Sequence, residues 1–324
     1  MKLILATLVM TAAASCVITN NLEIPFGSDK IQESFVAGDR EAQPIVAFVQ
    51  IHGGIASDGS AGVVPMQVRK VLNTIRGKSR VVGVILDINS PGGSGAASEE
   101  VFQMLQRFKK ETDLPVHAYV SEIAASGGYY IAIAADKITG NPGAITGSIG
   151  VISVFFNIEK LLDNKLEVDV VTIKTGKFKD SGSMYRSLRP EEREYWQNMI
   201  NHFYGKFVNR VSTARKLEVN AVQSLADGRV FHVDDAVKFG LVDGVGTLDD
   251  VIDDLRKETG FNRLKVVHFG RSDSGFGLFQ SAAPDPFAWL TKKALDPSNE
   301  GKSPQANYIG QPLWYSPSPA TQLR

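Results

Sequence analysis

Ser126 lies in Ala124-Ala125-Ser126-Gly127-Gly128-Tyr129-Tyr130, with nothing bulkier than alanine or glycine on either side, so its hydroxyl is accessible to a reacting carbonyl. Val116 to Val120 predicts a strand before it, and Tyr129 to Ala135 a buried helix after it. A serine at such a strand-to-helix turn has helix N-terminal amides beside it, which suits a nucleophile. Taken alone, Ser-Gly-Gly reads more simply as a small-residue packing contact between helices. Serine also needs a base, usually histidine. The five histidines are His52, His117, His202, His232 and His268; none falls between Ser126 and Lys179, and nothing local marks any as a partner. Lysine can serve if it is neutral. At its ordinary pKa of about 10.4, roughly one lysine in a few thousand is neutral at pH 7. Burial lowers that pKa by up to about 3 to 5 pH units, so a lysine base needs a dry pocket and hydroxyl groups to orient it.

A second chemical element precedes the serine. Val81 to Ile88 is a continuously apolar run, as in a strand buried on both faces. It ends in Asn89-Ser90-Pro91-Gly92-Gly93-Ser94-Gly95, and Ala96 to Lys110 follows with Val101, Met104, Leu105 and Phe108 on one helical face. The glycine turn is either merely tight or presents amides to an anion. It matches neither Gly-x-x-x-x-Gly-Lys-Ser/Thr nor Gly-x-Gly-x-x-Gly, so a phosphate or dinucleotide loop is excluded. An oxyanion role for the Gly93 amide is the functional reading that survives.

The remaining chain must position these groups. Pro44 introduces the β-rich run Ile45 to Ile51, ended by His52-Gly53-Gly54, and Val64 to Ile75 has helical spacing. Asn141 to Ile152 reads as a glycine-spaced strand, Ile158 to Asn164 as a helix and Val168 to Ile173 as a strand leading into Thr175-Gly176-Lys177-Phe178-Lys179-Asp180. Pro190-Glu191-Glu192 opens a helix in which Tyr195, Met199, Phe203, Phe207 and Val211 recur every fourth residue, a stripe for a core or a subunit interface. Shorter helices follow at Val219 to Ala226, Val233 to Phe239 and Leu248 to Thr259, and a last strand at Leu264 to Phe269.

Lys+Arg and Asp+Glu both number 35, so the neutral chain has no general attraction to nucleic acid. A single cysteine, Cys16, rules out an internal disulfide framework or thiolate metal site. Its position is informative. Met1-Lys2, the uncharged run Leu3 to Ala14 and the small residues Ala12 to Ser15 make a secretory signal too short for a comfortable membrane span. Ending on the cysteine, it resembles a bacterial lipoprotein signal, with Ala13 where leucine is usual; a cleaved signal peptide and an uncleaved anchor are the alternatives. The organisation expected is a signal over 1–16 with Cys16 as lipidation candidate, a flexible linker over 17–43, a folded domain over 44–270 and a Pro/Gly/Ser-rich tail over 271–324.

Four segments in order, Ser90-Pro91-Gly92-Gly93, Ala125-Ser126-Gly127-Gly128-Tyr129-Tyr130, Thr146-Gly147-Ser148-Ile149-Gly150 and Gly176-Lys177-Phe178-Lys179-Asp180, resemble the signal peptide peptidase A family of serine peptidases. Ala226-Asp227-Gly228-Arg229-Val230-Phe231 and Gly240-Leu241-Val242-Asp243 extend the match. The resemblance implies an α/β chain of the Clp/crotonase type, a superhelix of ββα units with additional C-terminal helices. It also implies a Ser/Lys dyad without cofactor or metal. Ser126 matches the nucleophile and Lys179, 53 residues on, the general base; Lys177 is disfavoured because the family's lysine directly precedes the position of Asp180. Ser148 matches a hydroxyl that orients the lysine, and Gly93 and Gly127 the oxyanion amides. Half-length members form ring-like homo-oligomers in which the lysine reaches a neighbour's serine. The expectation is an envelope endopeptidase, associated with a membrane through its N-terminus and with its domain outside the cytoplasm, that cleaves membrane-associated peptides such as remnant signal peptides. A crotonase-type enzyme acting on acyl-CoA and a non-catalytic peptide-binding scaffold are the alternatives.

Overall fold

The computed structural model describes residues 31–58 and 62–270; Cys16, the N-terminal signal and the tail over 271–324 lie outside the described residues. Strands β1 (Gln32–Gly38) and β2 (Ile45–His52) are followed by helix α1 (Pro65–Arg76), β3 (Val81–Ser90), α2 (Gly95–Thr112), β4 (Val116–Ala125), α3 (Gly127–Ala132), β5 (Lys137–Gly140) and β6 (Ile145–Gly147). A long irregular stretch, interrupted by α4 (Glu159–Leu161) and a π-helical turn at Leu162–Leu166, leads to α5 (Pro190–Arg215) and α6 (Val219–Leu225). Strand β7 (Val230–His232), α7 (Val233–Lys238), β8 (Gly244–Val245), α8 (Leu248–Thr259) and β9 (Lys265–Gly270) complete the order.

The central sheet runs β1-β9-β2-β3-β4-β5-β8, and its middle strands are parallel. Alternation along β3 divides the core. Val84, Leu86 and Ile88 pack with Leu72 of α1 and Val101, Leu105 and Phe108 of α2, whereas Ile85 faces Val251, Ile252 and Leu255 of α8. A strand covered on both faces must be apolar throughout, which is why this segment reads as an unbroken run. Ser94 caps α2, its hydroxyl accepting from the Ala97 amide at 3.2 Å, so the helix begins where the glycine turn ends.

Strand β4 changes partner along its length. His117 to Val120 pair with β5, but Ile123 to Ala125 pair with β6, which itself continues antiparallel to β7. This exchange winds the ββα units and places Ser126, the residue after β4, at the corner. The fold is α/β and Clp/crotonase-like, with α5 to α8 as its additional helices.

Four expectations are corrected. The linker over 17–43 includes a strand, since Gln32–Gly38 is β1, antiparallel to β9. Its mixed sequence conceals it, because an edge strand with exposed faces needs few apolar residues. The strand expected to run through Ile152 ends at Gly147. Val168 to Ile173 forms no ladder among the described residues, and its Val171 and Ile173 are 76% and 96% exposed. A β-prone segment becomes a strand only with a partner, and the described chain supplies none there. The expected helix from Ile158 is the short α4 with its π turn, whereas α6, α7, α8 and β9 fall within a residue of their expected bounds.

Candidate active site

The Ser126 backbone adopts φ 50° and ψ −118°, a region that costs an ordinary L-residue about 1–3 kcal/mol and persists only where its surroundings impose it. Those surroundings are visible. The Ser126 amide donates to the Gly147 carbonyl at 2.9 Å, tying the turn to the end of β6, and the Ser126 carbonyl accepts from the Tyr130 amide at 2.9 Å, starting α3. Below the turn, a Cβ on Gly92 (φ 100°) would lie 2.7 Å from the Gly127 nitrogen and 2.8 Å from the Ser126 Cβ. Only glycine at 92 permits this approach.

The neighbouring turn is held from behind. Ile55 donates to the Gly92 carbonyl at 3.0 Å and accepts from the Ser94 amide at 2.7 Å, so the intervening Gly93 N–H faces away from Ile55. The buried Ser90 hydroxyl donates to the Gly53 carbonyl at 2.7 Å and accepts from the Gly92 amide at 3.2 Å. Gly93, Ser126 and Gly127 line one cavity. Two backbone amides beside a hydroxyl can polarise a carbonyl and receive the charge of a tetrahedral adduct.

Parallel register brings Ser148 to the same corner. Ala124 pairs with Thr146 and Ala125 with Gly147, so Ser126 and Ser148 are the residues that follow these two adjacent strands. Ser148 also has positive φ, at 49°, and its amide donates to the Arg229 carbonyl at 2.8 Å. Lys179 is placed otherwise. It stands exposed on a turn within the irregular stretch before α5 and does not line the Ser126 cavity. A single chain therefore brings Gly93, Ser126 and Gly127 to one cavity; Ser148 follows Gly147, the register partner of Ala125, but like Lys179 does not line that cavity. No histidine lines the cavity either: His52 bonds Asp87 at 2.7 Å, and the buried His117 bonds Glu258 at 2.7 Å.

The cavity, about 820 Å³, is walled by the apolar stripe of α5, with Trp196, Met199, Ile200 and Phe203 facing Val151, Ile152 and Val154. The repeat was legible in the sequence; its use as a cavity wall was not. Beyond Ser126, Tyr130 and Arg210 both bond Glu99, Arg210 at 2.8 Å. Burial pushes the Tyr130 hydroxyl above the ordinary tyrosine range, and its bond to Glu99 adds to this. Burial would raise Glu99, but hydrogen bonds from Tyr130, Gln103 and Arg210 outweigh it and hold the carboxylate low. This end of the cavity therefore stays an anion, a phenol and a cation at neutral pH.

The turn carrying Lys179 is anchored to the start of α5. Asp180 accepts from Arg186 Nε at 2.8 Å and from Nη2 at 2.8 Å, and also pairs with Lys174. Glu192, with no exposed side-chain surface, accepts from Arg186 Nη1 at 2.9 Å and Nη2 at 2.7 Å. The Arg186 hydrogen bonds hold both carboxyls down, Asp180 far below the usual range and Glu192 at about 2. No motif pointed to this network; only the acids in the first turn of α5 were noted.

The sequence profile of peptidase family S49 matches residues 108–262. A protein of Enterococcus faecium named as a candidate signal peptide peptidase SppA is 34% identical over 270 residues, 82% of this chain and 78% of that one. This chain belongs to peptidase family S49. The chloroplastic serine protease SPPA of Arabidopsis thaliana is 34% identical over 204 residues, 63% of this chain and 30% of that one. Among solved structures, a ClpP1 mutant from Listeria monocytogenes is similar at 16% identity and a TM-score of 0.41, covering 63% of this chain and 92% of that one. No helix among the described residues is long and apolar enough to cross a membrane.

Two outcomes follow from this geometry. Gly92→Ala pushes the Gly127 amide out of place and lowers kcat by about 100-fold, the usual effect of losing one oxyanion donor, while circular dichroism stays unchanged; wild-type kcat would contradict the packing. Glu192, held near 2 when folded against about 4.3 when unfolded, contributes its full stabilisation above about pH 4.3 and loses it as pH falls toward 2. Fluorescence of Trp196, in a chain with Trp289 and Trp314 replaced by phenylalanine, should report release of the turn in that window; no change there would show that the anchor is not pH-linked.

Proposed function

We propose that this chain is a serine endopeptidase in which Ser126 attacks the scissile carbonyl and Lys179, supplied by a neighbouring copy, takes the hydroxyl proton. The observation that supports this reading is the positive-φ turn at Ser126, a residue that lines a largely apolar cavity together with Gly93 and Gly127. As Ser126 Oγ bonds to the carbonyl carbon, the oxygen becomes an anion that the two amides stabilise, each contributing about 3–4 kcal/mol. The lysine then returns the proton to the departing amine, and the acyl-enzyme is opened by water activated the same way. Ser148, next to Ser126 in register, is suited to orient the lysine.

The exposed arm favours supply of the base between subunits. From Val151 to Phe178 it presents Ile152, Val171 and Ile173 to solvent together with an unladdered β-prone segment. Apolar surface of this extent marks an interaction site, and a second copy arranged as in a ring would cover it while bringing Lys179 to the next Ser126. The apolar walls of the cavity suit apolar peptide side chains, in keeping with membrane-associated substrates such as remnant signal peptides, and a lipidated Cys16 would hold the enzyme at that surface.

Intact-mass spectrometry after treatment with a fluorophosphonate should show one adduct on the wild-type chain and none on Ser126→Ala. Cleavage of short apolar peptides should vanish in both Ser126→Ala and Lys179→Ala. Undiminished cleavage in either variant would reject the dyad, and acyl-CoA turnover surviving the loss of Ser126 would point to the crotonase-type alternative.

A further inference from the structure

A lysine base must come within about 2.6–3.2 Å of the proton it removes, yet its side chain is long and carries about 2 kcal/mol of rotamer entropy. Lys179 stands on an exposed turn in a stretch with little regular structure. Something must fix the backbone beneath it, and the next residue shows what does. Arg186 grips Asp180 twice through the carboxylate and once more through the backbone carbonyl, which accepts from Nη2 at 3.0 Å. The other edge of the same guanidinium holds both oxygens of Glu192. Glu192 is itself held in place: with no exposed side-chain surface in the first turn of α5, it also accepts from the Arg189 amide at 3.0 Å. Ser181, on the far side of Asp180, accepts from the Trp196 indole N–H at 3.0 Å. Trp196 lines the Ser126 cavity.

We propose that Arg186 is a positioning residue of the peptidase reaction: by clamping Asp180 to Glu192 it fixes the Lys179 turn on α5, so that the amine is delivered at one place. The inference rests on Lys179 being the base. Only a planar fork can satisfy two carboxylates and a carbonyl at once, and lysine, a point charge with rotating donors, cannot replace it. Because α5 also walls the cavity of its own chain, the clamp ties the base offered to one site to the frame of the next.

A purely structural ion network predicts something different. Its loss would lower the melting temperature or dissociate the assembly, leaving the turnover of each assembled site intact. The test compares kcat, KM and assembly size by light scattering for the full chain, Arg186→Lys, Arg186→Ala and Lys179→Ala, using one fluorogenic apolar peptide. Displacing a catalytic group by about 1 Å costs roughly 100-fold; a fall of that order in kcat is expected for Arg186→Ala, with a smaller one for Arg186→Lys, at unchanged KM and size. Millimolar methylguanidinium should restore part of the Arg186→Ala rate. Wild-type kcat per assembled site in both Arg186 variants, beside an inactive Lys179→Ala, would overturn the clamp and leave the dyad standing. An active Lys179→Ala would remove the reading on which the clamp rests.

Discussion

The unfavourable backbone at Ser126 is the constraint on which the rest of the structure depends. A serine held at φ 50° relaxes unless three segments press on it together. Those segments are the end of β6 through the Gly147 carbonyl, the first turn of α3 through the Tyr130 amide, and the glycine turn after β3 through direct packing at Gly92. Each is itself fixed by the sheet. The partner exchange in β4 puts β6 where it can accept from Ser126, and Ile55 with Ser90 holds the glycine turn from the other side. In the proposed reading, strain of this kind would hold the hydroxyl near two amides before substrate arrives, which is where much of the catalytic gain of acyl-transfer enzymes originates.

The site is nevertheless divided. Ser126, Gly93, Gly127 and Ser148 stand at turns that end sheet strands, whereas Lys179 stands on an arm whose Val171 and Ile173 face solvent in a single chain. In the proposed reading that division gives the exposed arm a purpose: the surface to be covered and the lysine to be delivered lie on the same segment. Helix α5 links the halves, walling the Ser126 cavity with Trp196, Met199 and Phe203 and anchoring the lysine turn through Glu192. If the base is supplied as proposed, assembly becomes a condition of activity, and cleavage would be confined to assembled enzyme.

Much of this was legible in the residues. The buried strand at Val81 to Ile88, the glycine turn after it and the Ser126 turn are local features with strong composition, and each stands where the sequence puts it. What was hidden depends on distant contacts. Strand β1 exists because β9, far away in sequence, offers an edge; Gln32 to Gly38 has no apolar period of its own. Val168 to Ile173 has the composition of a strand but lacks a partner within the described chain, so local propensity misled. The four-residue stripe of α5 was plain, yet a stripe does not say whether it faces a core, a partner or a cavity. Arg186 was invisible for the same reason: a double clamp is a property of three side chains meeting, not of any one position.

The account is tested most directly by subunit complementation. Ser126→Ala and Lys179→Ala chains, each inactive alone, are mixed, dissociated and reassembled, and peptide cleavage is measured against each variant treated the same way. If the base comes from a neighbouring copy, mixed assemblies contain sites with an intact serine and an intact lysine, and activity returns. If the mixture stays as silent as its components while wild-type chains taken through the same cycle recover, the dyad does not form between subunits, and the division of the site described here is wrong.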